Sequence, residues 1–361
     1  LYVAGAPRAD HHSRTVYGRG RGISARRFGA VLKNSGVLCT CAHPILGKLM
    51  PIVNDAAVNN GLGRSPLAVV AVTYSPGRHL GELIESIEYA TSRQTLLVCA
   101  DNGSTDGVPQ RAAAEHDNVV FLPTGGNVGY GAAINAAAAH LRDLRKQGLI
   151  DSECFLIVNP DVQFLPGSVD KLLLCFEQAP QAGAIGPRIE EEDGSAYPSA
   201  RQVPGLVTGI GHALLYNVWP GNPFSAAYKA GADMDTQRVA GWLSGACLLV
   251  RWQAFDQIGG FDERYFMYLE DIDLGDRLSR AGWDNLYCPS AVIVHDQGHV
   301  AGKHATVTVP AHHESAYRFQ RDRHPHWWQA PLRAVLWTGL KARQVVSLNH
   351  QRRARVAKQA D

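Results

Sequence analysis

The chain is predicted to be an α/β protein built on a doubly wound, mostly parallel sheet. Three observations lead there. Short apolar runs recur that suit buried strands, segments with helical periodicity separate them, and a polar or glycine-rich loop follows the carboxyl end of each run.

The first element is Leu67-Ala68-Val69-Val70-Ala71-Val72-Thr73, a continuous apolar run that reads as a buried parallel strand. Tyr74-Ser75-Pro76-Gly77 is a turn, and Leu80, Leu83, Ile84 and Ile87 then repeat at helical spacing. A second strand over 95–100 ends at Asp101-Asn102-Gly103-Ser104-Thr105-Asp106. A helix through 112–114 and a third strand over 118–122 follow. Gly125-Gly126-Asn127-Val128-Gly129-Tyr130-Gly131 leads into an Ala-rich helix near 130–147, and a fourth strand over 154–158 stops at Asn159-Pro160-Asp161.

The second half is less regular. Strands are expected at 183–187, 247–250 and 292–294, the last ending at His295, with a tight turn at Asp193-Gly194. Trp327-Trp328 and residues 332–340 suggest C-terminal helices, apolar on one side and basic beyond. Three segments are therefore expected. Residues 1–64 are a poorly ordered or mis-called extension with Met50 a candidate start, 65–300 form the main domain, and 301–361 are C-terminal helices with a basic tail.

The net charge of +2 hides an asymmetry, because residues 1–64 hold nine Lys/Arg against two acids and 341–361 hold six against one. The remaining middle therefore carries 20 Lys/Arg against 30 Asp/Glu. Basic ends on an acidic body suit an anionic membrane face or simple solvation. No basic-aromatic stripe crosses the predicted sheet, so no nucleic-acid partner is expected. No apolar run is long enough to span a bilayer. The seven cysteines are scattered and read as reduced thiols of a cytosolic protein.

Ligands of doubly wound sheets bind at the carboxyl ends of the strands, where Thr73, Asp101 and Asp161 fall. The turn at 101–106 is either a strand-to-helix connection or a site where Asp101 accepts a nucleobase N–H. The 125–131 loop lets backbone approach a ligand ahead of a helix N-terminus. It lacks the dinucleotide fingerprint and the Walker Lys-Ser/Thr. Asp161, set by Pro160 at a strand end, suits a hard divalent cation that takes its other ligands from phosphates. His295 is a second ligand or a core histidine. The run from Phe261 to Leu274 packs four aromatics and five carboxylates together, which suits a cleft whose acids do proton or cation work. Glu270 and Asp271 are its candidate bases. Asp273 and Asp276 read mainly as charges at a helix start.

The order Thr73, Asp101-Asn102-Gly103-Ser104, Gly126-Asn127-Val128-Gly129, Asn159-Pro160-Asp161, Gly241-Trp242-Leu243-Ser244-Gly245-Ala246, Glu270-Asp271 and His295 resembles the inverting family 2 glycosyltransferases of the GT-A fold. The resemblance covers about 66–300. The segments 198–202, 239–251 and 259–277 are similar to the actinobacterial branch that rhamnosylates decaprenyl-diphosphate-linked N-acetylglucosamine. It implies a nucleotide-sugar half at 65–165 and an acceptor half at 166–300. Thr73, Tyr74, Asp101, Asn102, Gly103 and Ser104 would line the nucleoside pocket, with Asn127, Gly129, Asn159 and Asp161 toward the donor. Trp242, Ser244, Gly245 and Asp273 would lie by the acceptor sugar. Asp161 would hold Mg2+ or Mn2+ with His295, although Asn159 replaces the first acid of the family's Asp-x-Asp element. Asp271 would be the base and Glu270 the other catalytic candidate.

The implied donor is dTDP-L-rhamnose and the implied acceptor polyprenyl-diphospho-N-acetylglucosamine, met at the cytoplasmic membrane leaflet by a peripheral protein. A homodimer is compatible with this picture. A sugar-nucleotide pyrophosphorylase would need a basic Gly-rich loop after the first strand, which Tyr74-Ser75-Pro76-Gly77 does not supply. A non-catalytic binding protein would leave Asp161, Asp271 and His295 without a use.

Overall fold

In a computed structural model of the chain, the described residues are 65–205, 219, 221–223, 233–296 and 305–360. The expectation for residues 1–64, Cys39 and Cys41 included, lies outside them, as does the boundary proposed at 300.

The first four strands form as their apolar runs dictate. They are β1 (Leu67–Thr73), β2 (Thr95–Asp101), β3 (Val119–Pro123) and β4 (Cys154–Val158), interleaved with α1 (His79–Ala90), α2 (Val108–Glu115) and α3 (Tyr130–Lys146). They lie side by side in the order β3-β2-β1-β4, and each neighbouring pair is parallel. Every residue of β2 and β4 is buried, as expected of strands covered on both faces. Alternate residues feed two cores. Val69, Leu97 and Leu156 enter one, and Val70, Val98 and Ile157 enter the other with Ile134 and Leu141 of α3.

Beyond β4 come β5 (Val162–Phe164), α4 (Ser168–Gln178), β6 (Ala182–Glu190), β7 (Ala196–Tyr197) and β8 (Ala200–Arg201). They are followed by β9 (Arg238–Ala240), β10 (Trp242–Leu243), β11 (Cys247–Arg251), α5 (Trp252–Ile258), α6 (Glu270–Arg280) and β12 (Asp284–His295). The sheet continues from β4 as β11-β6-β12-β5. Here β11 runs antiparallel to both neighbours, β6 and β12 are parallel, and β5 returns antiparallel to β12. The architecture is thus α/β with a mostly parallel first half and a mixed second half. The turn expected at Asp193-Gly194 joins β6 to β7, with Gly194 at φ 79°.

Two helices close the chain, α7 (Ala305–Arg323) and α8 (Ala330–Ala360), separated by a 3-10 turn at Trp327–Gln329. Phe319 of α7 packs with Trp242, Tyr265 and Ile272. Ser315 donates to the Met267 carbonyl at 2.9 Å, and Asp322 and Arg323 pair with Arg264 and Asp276. The aromatic, acid-rich segment before α6 is thereby held under α7.

One expectation is corrected. Cys175 of α4 and Cys288 of β12 are joined as a disulfide across 113 positions, so not all the cysteines are reduced thiols. Sequence spacing does not report a contact made by a helix lying over a distant strand. Cys99, Cys154 and Cys247 are free and buried.

Candidate active site

The loop after β2 is stitched together by its own aspartate. Asp101 is buried, and its Oδ1 accepts from the hydroxyls of Thr73 (2.8 Å) and Ser104 while Oδ2 accepts from the N–H groups of Ser104 (2.9 Å) and Gly103 (3.1 Å). These four bonds use the ordinary capacity of a carboxylate. In this state Asp101 shapes the pocket floor, and a nucleobase N–H would have to share it. Asn102, also buried, donates to the Gly129 carbonyl at 3.2 Å and accepts from Thr124 at 2.8 Å, tying this loop to the glycine-rich one. Gly103 and Tyr74 are exposed at the rim, and Asn127 accepts from the Gly129 N–H at 3.3 Å.

Gly129 is one close contact between the 125–131 loop and the segment before α6. Its φ is 93°, and a β-carbon there would lie 2.5 Å from the Phe266 carbonyl oxygen. The neighbouring Tyr130 N–H donates to that same oxygen at 3.2 Å. Only glycine allows this approach.

Asp161 and His295 come together through backbone pairing. β5 starts right after Asp161, and its register on β12 sets Val162 against His295. The His295 Nε2 lies 3.1 Å from Asp161 Oδ1 and 3.3 Å from Asn159 Nδ2. One ring nitrogen cannot donate to the carboxylate and accept from the amide at once. A cation bound by Nε2 and Oδ1 would remove that conflict. Among the described residues there is no cluster of three or more His, Cys, Asp or Glu that could hold a metal. Asp161 and His295 would therefore leave most positions of a hard cation to water and phosphate oxygens.

The carboxylates of α6 sit across a single turn from this pair. The Asn159 N–H donates to the Ala246 carbonyl at 2.8 Å, and the Gly245 N–H donates to Asp271 Oδ2 at 3.2 Å. Tyr130 bridges the same turn, its hydroxyl donating to the Gly245 carbonyl at 2.6 Å. Burial, and then the charges of Glu270, Asp271, Cys247 and Asp161, push its phenol far above the ordinary range, so it stays protonated. Asp161 and Asp271 thus both act on the one Tyr130 side chain.

Glu270 and Asp271 begin α6 directly after Tyr268 (φ 66°) and Leu269 (φ 64°), two non-glycine residues in the left-handed region. Such residues cost about 1–3 kcal/mol each and persist where the surrounding structure holds them. Burial, and then the Asp271 charge, raise the Glu270 pKa to about 8, and its Oε2 is buried without a hydrogen-bond partner. Burial also raises Asp271, but the N–H groups of Gly245 and Ile272 (2.8 Å) and the charge of Arg201 oppose it. At neutral pH Glu270 holds its proton, whereas Asp271 has backbone N–H groups and a nearby guanidinium that favour its charged form.

Two residues expected beside the acceptor are engaged elsewhere. Trp242 is only 7% exposed, packed under α7, with its indole N–H on the Gln202 carbonyl at 3.2 Å. Asp273 pairs with Arg277 at 2.7 Å. Gly245 lies beside Asp271, and the Ser244 hydroxyl accepts from the Ala246 N–H at 3.4 Å. Tyr130 and Arg201 had no assigned role. The one signal for Tyr130 is that it is the only aromatic residue in the Ala-rich helix α3.

A largely parallel sheet with an acid and a histidine at its strand ends, and the Asp271 carboxylate one turn away, has the elements expected of a GT-A glycosyltransferase. The chain belongs to the family described as Glycosyltransferase like family 2, whose profile matches residues 65–324. It is similar to the N-acetylglucosaminyl-diphospho-decaprenol L-rhamnosyltransferase of Mycobacterium tuberculosis, 50% identical over 280 residues that cover 77% of this chain and 91% of the relative. It is also similar to the rhamnosyltransferase WbbL of Escherichia coli, 26% identical over 70% of this chain and 91% of that protein. The solved structure of S. aureus TarS 1-349 in complex with UDP-GlcNAc aligns over 70% of this chain and 65% of its own, at 12% identity and a TM-score of 0.46.

Proposed function

We propose that this glycosyltransferase moves L-rhamnose from dTDP-L-rhamnose to the N-acetylglucosamine of a polyprenyl diphosphate, inverting the anomeric centre. The observation that carries the reading is the 50% identity, spread over 91% of the mycobacterial relative. The placement of Asp161 and Asp271 around the 244–246 turn supports it independently.

In this reading the donor lies over the ends of β1, β2 and β4. Thr73, Asp101, Asn102 and Ser104 form the nucleoside floor, and the exposed backbone of 125–128 faces the diphosphate. Asp161 and His295 would hold Mg2+ or Mn2+, which supplies positive charge against the departing nucleoside diphosphate. Asp271 accepts the proton of the acceptor hydroxyl as that oxygen bonds to the anomeric carbon, and dTDP leaves with the electron pair of the broken bond. Inversion follows from a single displacement. Protonated Glu270 keeps a second negative charge away from the diphosphate, and Tyr130 fixes the turn that carries the Gly245 N–H to Asp271.

The test is transfer by the purified chain to short-chain prenyl-diphospho-N-acetylglucosamine, with dTDP-rhamnose set against a panel of other nucleotide sugars. Transfer of a different sugar in preference to rhamnose would overturn the donor assignment.

A lipid-borne acceptor also gives the C-terminal helices a use at the cytoplasmic leaflet. Trp327 is 81% exposed, Trp328, Val335, Trp337 and Val346 are exposed too, and Arg333 and Lys341 lie on the same helix. Interfacial tryptophans and basic side chains suit an anionic bilayer surface, each Lys or Arg adding about 1 kcal/mol. No described helix is long and apolar enough to cross a membrane. Truncation after Leu340 should weaken sedimentation with anionic vesicles, and undiminished binding would refute this docking.

A further inference from the structure

We propose that Arg201 recognises the diphosphate of the acceptor and so selects sugars carried on a diphosphate over neutral glycosides. This deepens the proposed function and rests on it.

Arg201 belongs to β8, which pairs antiparallel with β10 so that Arg201 faces Trp242 in register. Its Nε donates to the Pro198 carbonyl at 2.8 Å. The guanidinium sits 5.7 Å from the Tyr197 ring centroid and 5.9 Å from that of Trp242. Backbone and rings together hold the fork in place, so little side-chain freedom remains to be lost when it binds.

Its two terminal nitrogens make no hydrogen bond or ion pair among the described residues. Other arginines of the acceptor half are committed. Arg188 bonds Asp235 and the Met234 carbonyl, Arg238 bonds the Ala200 carbonyl, and Arg277 bonds Asp273 and the carbonyls of Ile258 and Gly260. Arg201 is half-buried, so its free donors remain accessible.

Position supplies the second argument. The charge of Arg201 reaches Asp271 and favours its ionised form. The segment leading into Arg201 also touches the turn that bonds Asp271, since the Ser199 carbonyl accepts from the Ser244 N–H at 2.7 Å and the next residue, Gly245, donates to Asp271 at 3.2 Å. The body of the chain between the basic ends is acidic, with 20 Lys/Arg against 30 Asp/Glu, and would repel a doubly charged acceptor without a local cation. A planar fork matches phosphate oxygens in pairs.

The experiment compares two acceptors on the wild type, Arg201→Gln and Arg201→Lys. One is N-acetylglucosamine joined through a diphosphate to a short alkyl chain, and the other is the alkyl glycoside without phosphate. Arg201→Gln should raise KM for the diphosphate acceptor about 10- to 100-fold, as expected for lost bonds to a charged group, and leave KM for the neutral glycoside nearly unchanged. Arg201→Lys should recover part of the loss, since it restores charge without the fork.

Equal loss on both acceptors, or no loss on either, would overturn the proposal. Calorimetric binding of the diphosphate acceptor without any donor gives a separate readout. If the wild type transfers no rhamnose yet Arg201→Gln still weakens that binding, the donor assignment fails and the Arg201 contact stands. Thermal melts of both variants identify any loss that comes from unfolding.

Discussion

At the end of β2 every oxygen of the buried acid has partners, whereas at the start of α6 a buried acid oxygen has none. Asp101 accepts four bonds from its own loop and from Thr73, with Gly103 taking the one positive φ in that turn. Glu270 keeps an orphaned Oε2 behind two left-handed non-glycine residues, next to a half-buried acid. The loop after β2 is held by satisfied local bonds. The start of α6 stores strain and an unpartnered carboxyl oxygen, and it is there that the proposed proton transfer would take place. Stability and turnover should therefore respond to substitution in opposite places.

The largest expected effect is on turnover. Asp271→Asn should lower kcat by a factor of about 10² or more while donor affinity by calorimetry stays close to wild type. Near-normal turnover would move the base elsewhere, with Glu270 the first candidate. A smaller effect, on folding, is expected across the sheet. Asp101→Asn replaces an all-acceptor group with an amide and leaves buried donors unmet, so the unfolding free energy should fall by about 2–3 kcal/mol in denaturant titrations. If Asp101→Asn melts like the wild type, the contrast between the halves is wrong.

Glu270→Gln should change least. It imitates the protonated acid already present at neutral pH, so kcat should stay within about threefold of wild type. Its signature lies in pH dependence. A folded pKa near 8 against an ordinary 4.5 means the folded protein binds the extra proton across that window. The stability tied to this group is therefore full below about 4.5 and is lost as pH rises through about 8. Melting curves at pH 5, 7 and 9 should show the variant gaining on the wild type as pH rises, and parallel curves would count against a buried, protonated Glu270.

The same division decided what was legible in the sequence. The strands at 67–73 and 154–158 form within their expected bounds, and those at 95–101 and 119–123 within a residue. Their burial is complete and their neighbours come from the next βα unit, so a local apolar run carries the signal. β12 was legible only at 292–294 although it runs from Asp284 to His295, because its register shifts between Cys288 and Val292, around Pro289 and Ser290. Helices were expected across 301–361 without bounds for the one at 305–323, whose pattern Pro310 and the pair His312-His313 disguise. Trp242 was placed by the acceptor through the family resemblance alone, and in the fold it packs with Phe319 of α7. Asp161, His295 and Asp271 were legible by residue type at strand ends or a helix start. Tyr130 and Arg201 reach the 241–246 segment through contacts between parts of the chain far apart in sequence, which no local pattern records.

The close approach of Gly129 to the Phe266 carbonyl has a consequence for building hybrid enzymes. Exchanging the nucleotide-sugar half for that of a relative, to alter which sugar is moved, transplants α3 without the segment it rests on. Any graft that brings a side chain to position 129 would prise the Phe266 backbone away and shift α6 with it. A domain swap meant to change the donor would then silence the base, unless residues 261–269 travel with the graft.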